Sequence, residues 1–195
     1  MDIQALIERV QNGDTDSFEP IIHLYEQSLF RYCCFLLGNK QEAEDAVQDI
    51  LFQAYRHMHK VDSTKPLRPW LYTIAQNHCY NMLKKRKRWL RLLPLFRSGD
   101  PPAKSAEQVA AERFDGEFGE IARWTQGLLA QEKHLLVLRV VEECTFEEIG
   151  RMMNEKPTTI RKRFERLRRK LVRQHRHLYD EQKEVIRHEQ QYELR

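Results

Sequence analysis

The segment from Thr145 to Leu171 constrains this 195-residue chain more than any other. It reads as a short capped helix, a tight turn and a second, heavily basic helix. Thr145 is placed to cap the first helix, and Glu148, three residues on, completes the pattern of a capping box. Ile149, Met152 and Met153 give that helix an apolar face at helical spacing. Asn154 falls where the chain has to reverse, and Asn tolerates the left-handed backbone better than most residues. Pro157 suits the first turn of a new helix, where its missing N–H has no partner to lose. The second helix carries Arg161, Lys162, Arg163, Arg166, Arg168, Arg169 and Lys170 against a single acidic residue, Glu165. Ile160, Phe164, Leu167 and Leu171 form one apolar stripe, so one side docks and the basic sides stay free. Charge runs often mean only a solvated surface helix. Here the capped first helix, the turn at Asn154 and Pro157 favour a helix-turn-helix that enters a DNA major groove. Arg161, Lys162 and Arg163 lie in the early turns that reach base edges, where Arg pairs with guanine O6 and N7. Arg166, Arg169 and Lys170 lie further along, where phosphate contacts are expected. Glu165 either accepts from a cytosine amine or pairs with Arg161 or Arg169, and the pairing is the expected role.

The remainder is expected to be helical too. Only 7 Gly and 7 Pro interrupt the chain, and no run alternates strictly in the manner of a strand. The net charge of +4 is modest, so its concentration at Lys84–Arg97 and Arg161–Arg176 matters more than its sum. The four cysteines, Cys33, Cys34, Cys79 and Cys144, form no CxxC pair and sit in or beside apolar patterns. Buried, reduced thiols of a cytosolic protein are expected. The N-terminus reads as no signal peptide, and no apolar run approaches ~18 residues. A soluble cytoplasmic protein without direct membrane binding is the expectation.

Ile3, Leu6, Ile7 and Val10 predict a short amphipathic helix closed at Asn12-Gly13. A second helix starts near Asp16 or Ser17 and is apolar on more than one face, which suits a central position. Gly38-Asn39 stops it and caps a third helix, with Glu42 at the capping-box position, running to about Met58. In that helix Ala43, Ala46, Val47, Ile50, Leu51, Ala54 and Tyr55 are expected inside. Asp45, Gln48, Asp49 and Phe52 fall on the other side. A loop over 61–69 precedes a helix from Trp70 to about Trp89. Pro, Gly and Ser mark 92–116 as a linker. It is acidic in character: three basic and six acidic residues lie between Arg97 and Glu120. The organisation expected is all-α: a helical domain over 1–91, the linker over 92–116, a second domain over 117–178 and an extension over 179–195.

Two further constellations carry chemistry. Trp70, Leu71, Tyr72, Ile74, Asn77, Tyr80 and Asn81 precede the cations Lys84, Lys85, Arg86, Lys87 and Arg88. This is either a core helix with a solvated basic end or a platform for single-stranded nucleic acid. In the second case rings and amides take unstacked bases and cations hold the backbone. Phe52 beside Asp45, Gln48 and Asp49 is either core or part of a protein-docking surface. The His57/His59 and His175/His177 pairs diverge on a helix, so neither metal nor cofactor is expected.

Four pieces, in order, resemble bacterial sigma factors of the sigma-70 family, and specifically the extracytoplasmic-function group. They are Ala43-Glu-Asp-Ala-Val-Gln-Asp-Ile-Leu-Phe-Gln-Ala-Tyr55, Pro69-Trp-Leu-Tyr-Thr-Ile-Ala-Gln-Asn77, the basic run after it, and Thr145–Leu171. The resemblance implies two helical domains, domain 2-like and domain 4-like, on a flexible linker. It implies core RNA polymerase as partner, through the clamp helices of its largest subunit and through its flap. Asp45, Gln48, Asp49 and Phe52 would make the clamp contact. Promoter DNA would be the second partner. Trp70, Asn77, Asn81, Lys84, Lys85, Arg86 and Arg88 would recognise and open the -10 element. Thr158, Thr159, Arg161, Lys162, Arg163, Arg166, Arg169 and Lys170 would read the -35 element. The linker would run through the polymerase toward the RNA exit path. A membrane-anchored anti-sigma factor is the expected regulator. The family often has Gly where Asn154 stands, and Ser or Thr at the position of Lys162.

The competing class is an autonomous helix-turn-helix regulator whose first domain senses a ligand or dimerises. An enzyme fares worst, since the sequence shows no clustered carboxylates, phosphate loop or nucleophile arrangement.

Overall fold

The structure is a computed structural model that describes residues 2–96, 124–125 and 127–176. Its helices are α1 (Ile3–Gln11), α2 (Glu19–Leu37), α3 (Lys40–His57), α4 (Leu67–Phe96), α5 (Ala130–Leu136), α6 (Phe146–Met153) and α7 (Pro157–Gln174). Short 3-10 turns at Thr15–Phe18 and Met58–Lys60 join the early helices, and a π-helical turn at Val137–Val141 prolongs α5. No strand occurs among the described residues.

Local chemistry sets most helix ends. The Asp2 carboxylate accepts from the Gln4 and Ala5 amides and starts α1. Pro20 sits in the first turn of α2, and Gly38 ends that helix at φ 67, in the left-handed region where a side chain would be strained. Asn39 caps α3 by accepting from the Glu42 amide at 3.0 Å. Among the described residues the Glu42 carboxylate does not return the bond of the expected capping box. The Glu42 carboxylate lies 3.7 Å from Arg86, which also donates to the Leu37 carbonyl at the end of α2.

The first core is built by Ile7, Ile21, Leu29, Tyr32, Ile50, Met58, Leu71 and Tyr72 from α1 to α4. All four cysteines are buried free thiols, and the Cys79 thiol donates to the Cys33 sulfur at 3.7 Å. Leu135, Leu138, Ile149, Ile160 and Leu167 form the core of the C-terminal half. The two sets merge into one buried cluster, because α5 packs on α2 and α6 packs on α4. The Tyr32 hydroxyl and His134 Nδ1 are hydrogen-bonded across this junction at 2.6 Å, both side chains fully buried.

Several expectations need correction. Helix α4 begins at Leu67, three residues before Trp70, and continues to Phe96, past Trp89. Pro69 does not end a loop: a proline in a first turn loses no helical hydrogen bond, and Leu67, two residues before it, is buried. Residues 92–96, assigned to the linker, are therefore helical, while the rest of the linker and the 179–195 extension lie outside the described residues. Tyr55, expected inside, is exposed, its ring tilted against that of Phe18 with the centroids 5.2 Å apart.

Candidate nucleic-acid and protein interfaces

Helix α3 separates its residues cleanly by face. Ala43, Ala46, Val47, Ile50, Leu51 and Ala54 are buried, while Asp45, Gln48, Asp49 and Phe52 are all exposed. The last four follow i, i+3, i+4, i+7 spacing and so share one stripe. Phe52 is 61% exposed, with the Arg56 guanidinium 5.8 Å from its ring centroid. That settles its alternative: Phe52 is not core. The stripe borders a groove of about 1020 Å³ between α2 and α3, whose walls include Ile22, Phe30, Val47, Gln48 and Phe52. Ile22 and Phe30 were legible only as apolar positions on a second face of α2.

On α4, Asn77 and Asn81 are exposed one turn apart, and Trp70, seven residues before Asn77, is half-buried against the core. Lys84, Lys85 and Arg88 are exposed as well, so three cations and two amides share the outer side of the helix. Arg86 differs, being drawn back onto Glu42 and the Leu37 carbonyl. The helix is therefore both core and platform: Leu71, Tyr72, Ala75 and Cys79 are buried on the side opposite Asn77.

The helix-turn-helix forms as its residues require. Thr145 Oγ1 accepts from the Glu148 amide at 3.2 Å, and the Glu148 carboxylate accepts from the Thr145 amide at 2.7 Å. That second bond holds the Glu148 carboxyl below its usual pKa. Asn154 takes the left-handed conformation at φ 52, ψ 46. A residue the sequence reading passed over closes the turn: a Cβ on Gly150 would stand 2.7 Å from the Glu155 carbonyl oxygen. Pro157 opens α7, which docks through Ile160 and Leu167.

The basic residues of α7 are not equivalent. Thr158, Arg161, Lys162, Arg166 and Arg169 are exposed, and Thr159 is half-buried. Arg161 lies over the Phe146 ring at 5.3 Å. Arg163 donates to Glu155 at 2.6 Å, and Lys170 pairs with Glu132 at 2.7 Å. The expected pairing of Glu165 with Arg161 or Arg169 is not among the ion pairs of the described residues; Glu155 and Glu132 take cations instead. Among the described residues no His, Cys, Asp and Glu cluster has metal-binding geometry, and no helix is long and apolar enough to cross a membrane.

Comparison with known proteins places these faces in a family. The pattern described as "Sigma-70 region 2" matches residues 21–89, and "Sigma-70, region 4" matches residues 119–171. The chain is 27% identical over 186 residues to the ECF RNA polymerase sigma factor SigW of Bacillus subtilis (strain 168), covering 91% of this chain and 99% of that protein. It is 26% identical over 183 residues to the ECF RNA polymerase sigma-E factor of Escherichia coli (strain K12), covering 85% and 90%. The sigma factor RpoE from Bartonella quintana, solved with the anti-sigma factor NepR, has the same fold with a TM-score of 0.65 at 21% identity, covering 82% of this chain and 96% of that one. CnrH, solved with the cytosolic domain of CnrY, superposes with a TM-score of 0.67 at 17% identity, covering 88% and 96%. Region 2 spans the α3 stripe and the α4 platform, and region 4 spans the helix-turn-helix. The chain belongs to the sigma-70 family of RNA polymerase sigma factors, in its extracytoplasmic-function group.

Proposed function

We infer that this chain joins core RNA polymerase and directs it to promoters bearing a -10 and a -35 element. The observation that carries the reading is the joint presence of two spatially distinct faces, each inside a matched region. One is the exposed α3 stripe beside the α4 amides, and the other is the basic outer side of α7. Asp45, Gln48, Asp49 and Phe52 would dock on the polymerase clamp helices. Asn77 and Asn81 would take bases of the opened -10 strand beside Trp70, and Lys84, Lys85 and Arg88 would hold its phosphates. Arg161, Lys162 and Arg166 would reach the -35 major groove, with Thr158 and Thr159 at its edge and Arg169 on phosphate. Arg86, Arg163 and Lys170 are engaged within the chain, so their part would be to orient neighbours as much as to touch DNA.

In this reading the polymerase makes and breaks every bond, the chain contributes no catalytic group, and it works in the cytoplasm. One similar structure holds an anti-sigma factor and another a partner's cytosolic domain, which supports expecting a membrane-anchored anti-sigma factor here. The test is reconstitution. Purified chain added to core polymerase should yield transcripts from one class of promoter, while the chain alone binds duplex poorly. An autonomous regulator would instead shift its operator without polymerase and leave core polymerase unprogrammed.

A further inference from the structure

Phe146 is the first residue of α6, and the Thr145–Glu148 capping box fixes its backbone. Its side chain is half-buried, and its ring meets α7 twice. The Phe164 ring stands edge-on to it, with centroids 6.0 Å apart, and the Arg161 guanidinium lies 5.3 Å from its centroid. Arg161 and Phe164 are three residues apart and so are neighbours on the surface of α7. A second guanidinium, that of Arg139 in the π-helical turn, lies 4.8 Å from the same centroid and donates to the Cys144 carbonyl at 2.9 Å. One ring therefore carries two cations, each brought by a different element.

An arginine resting on an aromatic ring is often no more than surface packing. The donors along α7 argue for more. Arg163 gives a donor to Glu155 at 2.6 Å, Lys170 gives one to Glu132 at 2.7 Å, and Arg166 Nε donates to the Lys162 carbonyl at 3.4 Å. Among the described residues no acceptor meets the N–H groups of Arg161. A cation–π contact uses up no donor, since the ring attracts the charge and not a particular N–H. Arg161 is thus anchored with its whole fork open, and a fork is what pairs with guanine O6 and N7. A free arginine would surrender its rotamer freedom on binding, and an anchored one surrenders less.

We propose that Phe146 is a positioning residue for upstream readout: its ring holds the Arg161 guanidinium in place, so that Arg161 selects guanine at a single base pair of the -35 element. The proposal rests on the promoter reading above. Phe146 itself meets no base and acts through Arg161. Arg139, tied to the Cys144 carbonyl, steadies the ring from the α5 side. Arg161→Lys would keep the charge and the contact with the ring, yet it lacks the planar fork, so it should lose the guanine preference.

The test uses holoenzyme reconstituted from core polymerase and the full chain, transcribing a promoter library randomised across the upstream element. Comparing wild type with Arg161→Ala identifies the base pair that Arg161 reads. Phe146→Leu should lower the guanine preference at that base pair roughly two- to fivefold, the factor an exposed cation–π contact is worth, and leave the preferences at other base pairs in place. Phe146→Tyr, which keeps an aromatic face, should retain the preference. Should Phe146→Leu fail to fold, phenylalanines carrying one to five ring fluorines at position 146 decide, because they keep the ring's shape while draining its negative face. The preference should fall stepwise along that series. Unchanged preference in the leucine variant or across the fluorinated series, or an equal loss at every upstream sequence, overturns the proposal alone. A wild-type holoenzyme that selects no upstream sequence overturns the promoter reading and this proposal with it.

Discussion

Replacing Gly150 with alanine separates two opposing effects by sign. Gly150 lies inside α6, where glycine ordinarily disfavours a helix by about 1 kcal/mol relative to alanine. Were backbone propensity all that mattered, Gly150→Ala would stabilise the C-terminal half by that amount. The new Cβ, however, would stand 2.7 Å from the Glu155 carbonyl oxygen and 3.5 Å from Pro157 Cδ. That carbonyl has little freedom to retreat. The Glu155 amide is bonded to the Gly150 carbonyl at 2.9 Å, Asn154 holds the left-handed turn, and Pro157 fixes the entry to α7. Overpacking of this kind costs roughly 1–3 kcal/mol. With that carbonyl held in place the clash outweighs the propensity gain, for a net loss of up to about 2 kcal/mol. Native-state amide exchange of α6 and α7 measures it, and protection there should fall on the order of tenfold, since about 1.4 kcal/mol is a factor of ten. On the proposed promoter reading, transcription that depends on the -35 element should fall too, because the angle between α6 and α7 would set the reach of Arg161 and Lys162. Higher protection in the alanine variant, with -35 use intact, would refute the argument that close approach rather than chance keeps glycine here.

Three further outcomes follow from the same structure. Asn154→Gly should leave stability within ~0.5 kcal/mol of wild type or raise it, while Asn154→Ala should lower the melting temperature by an amount equivalent to about 1 kcal/mol, because only alanine is strained at φ 52. Phe52→Ala should leave unfolding within about 0.5 kcal/mol of wild type, yet weaken binding to core polymerase, measured by fluorescence titration; equal affinity would remove the α3 stripe from the interface. Burial lowers the His134 pKa from 6.5 to about 4, so the unfolded chain takes up that proton first as pH falls. His134 thus costs nothing above pH 6.5 and destabilises progressively down to 4, by up to roughly 3 kcal/mol. His134→Gln should flatten the urea-denaturation midpoint between pH 6.5 and 5 relative to wild type, and an unchanged slope would contradict it.

The helices and the helix-turn-helix were legible because their signals are local. Thr145 with Glu148, Asn154 and Pro157 act within a few residues of themselves and need no tertiary partner. The α3 stripe was legible because a 3.6-residue period sorts the buried alanines from Phe52. The start of α4 was not, since a proline marks a loop's end and a helix's first turn equally well. Glu142 and His134 could not be found this way at all. Each is an ordinary polar residue in a helical stretch, and its burial depends on Tyr32, Arg68 and Tyr72 more than sixty positions away. Likewise, position along α7 separates its cations into early and late turns, but not those that Glu155, Glu132 and Phe146 engage within the chain.

Those internal partnerships have a thermodynamic signature. A lysine or arginine already neutralised by a carboxylate of its own chain displaces few condensed ions when it meets a phosphate, so it adds little to the ionic-strength dependence of association. The upstream contact should accordingly weaken with added salt less steeply than a tally of arginines and lysines along α7 suggests, and Glu132→Gln, by freeing Lys170, should steepen that dependence by close to one ion.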